Sequence, residues 1–143
     1  MSNLSQFFKK NKKVKENTKY AATKSLVDET GKPLEWEIKA ISTRENDDIR
    51  DACTIEVPVT GKNGVYRSKL NSSKYGAKMI AASVVFPDLY NKELQDSYGV
   101  STPEDLVREL VDNAGEYADF LQFIQTFNGF DSSLEDAVDE AKN

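Results

Sequence analysis

The sequence predicts an α+β fold in which a small antiparallel sheet of hairpins forms early in the chain and the carboxyl-terminal half is helical. Three observations lead there. Strand-like alternation with turn signals dominates the first half, helical spacing dominates the second, and no repeat or linker interrupts residues 18–130. At 143 residues the chain is one domain's worth, and a core of that size buries roughly 68% of the surface exposed by the unfolded chain. The expected division is a basic arm over residues 1–17, one α+β domain over 18–130 and an acidic helical tail over 131–143.

The first hairpin is expected between Lys19 and Ile41. Tyr20, Ala22 and Leu26 precede the turn residues Asp28 to Pro33, after which Leu34, Trp36, Ile38 and Ala40 alternate with charged residues. Ser42 and Glu45 have the spacing of a capping box, which predicts a helix to about Thr54 with Ile49, Ala52 and Cys53 on its inner face. Ile55 to Val59 and Val65 to Leu70 flank Gly61 and Gly64, glycines that permit the positive φ of a reversal, so a second hairpin follows. Pro58 lacks an amide donor and places its strand at an edge.

Asn71 or Ser72 caps the next expected helix. Tyr75, Met79, Ala82 and Phe86 recur at helical spacing, with Ile80 and Val84 widening the stripe and Pro87 ending it. A short helix from Asn91 to Tyr98 closes at Gly99. Thr102, Pro103, Glu104 and Asp105 then follow the order N-cap, first-position proline and acidic first turn. Apolar spacing from Leu106 to Phe130 predicts two helices separated near Asn113 to Gly115. Ser132 to Glu135 opens a tail helix with Leu134, Ala137, Val138 and Ala141, too short to be stable alone.

Charge is divided unevenly. Residues 1–24 contain seven Lys against Glu16, a net of +6, whereas residues 100–143 carry a net of −9 within a chain of −5. Three readings fit the arm: phosphate binding through lysines beside Phe7 and Phe8, a short amphipathic helix through Leu4, Phe7, Phe8 and Val14, or a solvated arm packed on the acidic body. The last is favoured, because no Arg or recognition motif accompanies the lysines.

The absences restrict chemistry further. With no His and only Cys53, the chain lacks a Ser-His-Asp or Cys-His relay, a multi-histidine or multi-cysteine zinc site and an internal disulfide. No enzymatic role, metal or cofactor is expected. One Cys, with no signal peptide or long apolar run, points to a reducing cytoplasmic setting without a membrane span. The clusters Asp47, Asp48, Asp51 and Asp136, Asp139, Glu140 read as solvated helix faces, and Cys53 as a buried, inert thiol. Gly61 to Gly64 lacks nucleotide-binding spacing. The aromatics Tyr117, Phe120, Phe123, Phe127 and Phe130 exceed what one helix face needs, with Phe120 and Phe123 set apart around the helix, so part of this stripe is expected at a rim.

Taken in series, four weak blocks become specific: Asn71 to Tyr75, Ile80 to Leu89, Glu93 to Gly99 and Pro103 to Leu106. Preceded by the Trp36 strand and the Ser42 to Cys53 segment, they make the chain resemble the XkdN-like tail assembly chaperones of tailed phages and PBSX-type prophages. The resemblance covers about residues 4–130. It implies a non-enzymatic chaperone in the host bacterial cytoplasm that binds the tape-measure protein, recruits tail-tube subunits and is absent from the mature virion. The expected contact set is Phe120, Phe123, Phe127, Leu134 and Val138. Homo-oligomerisation is left open. The alternatives are a structural tail subunit kept in the virion and a basic-arm nucleic-acid binder.

Overall fold

Strand β1 (Thr18–Tyr20) pairs antiparallel with β2 (Trp36–Ile38), Thr18 opposite Ile38 and Tyr20 opposite Trp36. The computed structural model describes residues 3–130, so the expected tail helix lies outside the described residues. Between β1 and β2 the Asp28 carboxylate accepts the amides of Thr30 at 2.8 Å and Lys32 at 3.1 Å, which closes the expected turn. The strands are shorter than the alternation implies, because Ala22 and Thr23 leave the ladder and become buried. There the Thr23 hydroxyl and the Lys24 amide each donate to the Glu116 carboxylate at 2.8 Å.

Helix α1 (Thr43–Cys53) begins with the full Ser42–Glu45 capping box. Cys53 is buried and Ile49 half-buried, but Ala52 is exposed, so the inner face is narrower than expected. Strands β3 (Thr54–Pro58) and β4 (Tyr66–Leu70) form a separate two-stranded sheet. Gly61 at φ +80° and Gly64 at φ +73° make its reversal.

Helix α2 (Ser72–Ser83), capped by the Asn71 side chain, stops before the expected end. Val84–Phe86 instead forms β5, antiparallel to β2, giving the sheet order β1-β2-β5. Two physical causes favour the strand. Valines lose χ1 freedom in a helix and pack well in a sheet, and the residue before Pro87 is driven to extended backbone. The register shifts between Glu37 and Ile38, which pair with Phe86 and Val84 and leave Val85 as a bulge.

Helices α3 (Lys92–Ser97), α4 (Pro103–Leu110) and α5 (Ala114–Phe127) follow. Each begins with its own cap, from Asn91, Thr102 and Asn113 respectively. The break before Ala114 falls where the sequence places it.

The centre of the fold is α2, which packs against α1, α4 and α5. Tyr75, Ala77, Met79, Ile80 and Ala81 are all buried, so this helix is apolar around much of its circumference. A Cβ on Gly76 would lie 3.0 Å from a Leu121 methyl of α5, so glycine sets that separation. Gly76→Val is expected to lower stability by about 1–3 kcal/mol through overpacking, read from the urea midpoint. Polar ties reinforce the packing: the Tyr75 hydroxyl donates to Asn46 Oδ1, and Lys78 pairs with Glu104 at 3.3 Å. Asn128, just past α5, accepts the Ile41 amide at 2.7 Å and donates to Ser83 Oγ at 3.2 Å.

Glu116 links α5 to the β1–β2 connection. The Lys24 amide, then the Thr23 hydroxyl, hold its carboxyl below the ordinary glutamate value. A depressed folded value gives stability that is complete above the unfolded pKa, about 4.3, and lost as pH falls through the folded value. Glu116→Gln should therefore melt below the parent near neutral pH, with the gap narrowing on acidification. Calorimetric melting temperatures across that range test this; a constant gap would contradict it.

Candidate partner-binding surfaces

An aromatic stack joins α5 to the sheet. Tyr20 lies parallel to Phe120, with centroids 5.5 Å apart, and to Phe123 at 4.2 Å, while Trp36 meets Phe120 edge-on at 5.2 Å. Phe123 continues to Phe127 at 6.1 Å, and the Lys15 ammonium sits 4.3 Å above the Phe127 ring. Burial, then the Asp119 and Glu116 carboxylates, raise the Tyr20 phenol above its ordinary value.

These positions divide the expected contact set. Phe120 is 0% exposed and belongs to the core, so its ring offers a partner no surface. Phe123 and Phe127 are half-buried at the edge of the stack. Both Phe120 and Phe123 meet Tyr20, so they are not set apart around α5 as expected. Leu134 and Val138 lie outside the described residues.

A concave apolar surface opens beside Trp36. A groove of about 330 Å³ has Trp36 and Leu110 deep in its wall, Leu26, Leu94 and Tyr98 along its sides, and Leu34, Phe86 and Pro87 at its margin. Its size reaches the lower range of ligand cavities. Among the described residues that line it, Glu35 alone is charged. Leu34 is 43% exposed and Phe86 64% exposed, so the groove presents apolar area to solvent. Such a surface suits insertion of apolar side chains from another polypeptide. Sequence reasoning missed the groove because Phe86 reads as part of the α2 stripe; the valine pair before Phe86-Pro87 is the signal for a strand there.

The arm does not form the amphipathic α-helix weighed above. Asn3–Phe7 and Lys9–Asn11 are two short 3-10 helices, after which Lys15 packs on α5 and donates to the Phe127 carbonyl. Phe7 and Val14 stay exposed. Among the described residues, no group of three or more His, Cys, Asp or Glu is placed to hold a metal ion. No described helix is long and apolar enough to cross a membrane.

The α+β body and its apolar surfaces define a class of small domain with a solved counterpart. The crystal structure of the protein YqbN matches with a TM-score of 0.74 and 25% identity, covering 92% of this chain and 99% of that one. The chain belongs to the phage XkdN-like tail assembly chaperone family, whose sequence model matches residues 4–142. That match extends beyond Phe130, farther than the motifs alone reached. Similar curated proteins are the phage-like element PBSX protein XkdN and the uncharacterized protein YqbN, both of Bacillus subtilis strain 168. Each is 30% identical over 128 residues, covering 90% of this chain and 85% of the relative.

Proposed function

We propose that this chain is a non-enzymatic chaperone that holds the tape-measure protein during tail assembly and assists addition of tail-tube subunits. It acts in the host bacterial cytoplasm and leaves before the virion matures. The observation that carries the reading is the apolar groove with Leu34 and Phe86 at its margin. A long helical client exposes apolar stripes before its assembly partners cover them, and inserting such side chains here removes apolar area from water. In this reading residues 18–130 are the binding body, with Phe123 and Phe127 as a second contact area and residues 1–17 and 131–143 as flanking segments. Several modest contacts would suit a client that must later be released.

Co-expression with the long helical protein encoded downstream tests the proposal. The client should become soluble and co-purify with this chain. An insoluble or unbound client beside a folded partner would reject the chaperone reading, and recovery of this chain from purified virions by mass spectrometry would support a structural subunit instead.

A further inference from the structure

The β3–β4 hairpin has a second surface, independent of the groove. Its hydrogen bonds show which backbone groups face outward. The Asn71 amide donates to the Cys53 carbonyl at 2.8 Å and the Val59 amide to the Val65 carbonyl at 2.9 Å, at the two ends of the ladder. In the intervening register Ile55 faces Lys69 and Val57 faces Arg67. Antiparallel pairs alternate, so these are the bonded pairs, and the groups of Thr54, Glu56 and Pro58 on β3 and of Tyr66, Ser68 and Leu70 on β4 point away.

The two edges are not equivalent. On β3 the Thr54 amide already donates to the Asp51 carbonyl, and Pro58 has no amide, which leaves Glu56 alone. On β4 the amides of Tyr66, Ser68 and Leu70 have no hydrogen-bond partner among the described residues. Of the two edges of this hairpin, β4 alone presents a continuous row of donors and acceptors for another strand among the described residues.

Charge identifies the occupant. Residues 54–70 carry Lys62, Arg67 and Lys69 against Glu56, a net of +2 in a chain of −5. Arg67 and Lys69 are exposed, share one face of the hairpin, and have no carboxylate partner among the described residues. A second copy pairing antiparallel about Ser68 would place Arg67 opposite Lys69 on both sides, an unfavourable like-charge arrangement. Basic residues at an edge guard against self-pairing, and the same pair suits a strand with acidic residues two positions apart. We propose that the outer edge of β4 takes an extended acidic segment of a partner protein as a third strand. Backbone bonds at Tyr66, Ser68 and Leu70 would hold it, with its carboxylates facing Arg67 and Lys69.

The test uses the full chain labelled with 15N and two short capped peptides, one alternating Thr and Glu and the other alternating Thr and Lys. The Glu peptide should shift the Tyr66, Ser68 and Leu70 amides and slow their hydrogen exchange, with binding that weakens as salt rises. The Lys peptide should not. Ser68→Pro removes the central outward amide but no bond of the hairpin ladder, and should weaken binding about tenfold, whereas Ser68→Ala should preserve it. Arg67→Glu combined with Lys69→Glu should reverse the peptide preference, which keeps the test decisive if the proline variant misfolds. Equal binding of both peptides, or shifts confined to Lys9–Lys15, would overturn the proposal. So would peptide-free changes at the β4 amides with protein concentration, which would make a second copy the occupant, or on deletion of residues 131–143, which would make it the chain's own tail.

Discussion

Phe120→Ala is expected to remove about 3–5 kcal/mol of stability, the cost of truncating a buried aromatic. Against a typical total of about 5–15 kcal/mol, the variant would be marginal, with an urea midpoint far below the parent's. The magnitude follows from position. Phe120 is fully buried, stacks on Tyr20 and meets the edge of Trp36, so its ring joins α5 to both strands of the first hairpin. Its loss opens a cavity between elements held by other contacts, Glu116 to Thr23 and Lys24 among them, and these limit collapse into the space. Phe123→Ala, one turn on and only half-buried, should cost distinctly less. Equal costs at the two positions would mean that the stack, rather than burial, sets the energy.

That contrast marks where sequence reasoning succeeds and where it stops. Features decided within a few residues were legible: the Ser42–Glu45 box, the Asn71 and Thr102 caps, the turn at Gly61 to Gly64 and the break at Asn113. Each rests on a side chain satisfying a nearby orphan amide, or on glycine taking a positive φ. The end of α2 was not legible, because Val84 to Phe86 fits a helical stripe as well as a strand. Pairing with β2, far away in sequence, decides between them. Phe120 and Phe123 likewise carry the same local signal and differ only in what the β1–β2 hairpin covers. The groove was hidden for the same reason, since its lining comes from the β1–β2 connection, β2, the end of β5, α3 and α4.

The groove therefore calls for a substitution whose effect on binding separates from its effect on folding, and Phe86→Ala provides it. Phe86 is 64% exposed and its backbone pairs with Glu37, a contact alanine preserves, so stability should fall by less than about 1 kcal/mol. If the client inserts beside this ring, truncation should weaken binding by about 2 kcal/mol or more, roughly thirtyfold, as at an interface hot spot. The readout is the fraction of client co-purified at matched expression, with melting temperature as the folding control. Phe123→Ala supplies the comparison, because it trims the other apolar area, at the edge of the aromatic stack. Loss of client with Phe86→Ala and retention with Phe123→Ala would place the contact in the groove. The reverse result would place it on the exposed edge of the α5 stack, where Lys15 covers Phe127 and the arm would have to move aside for a client to bind.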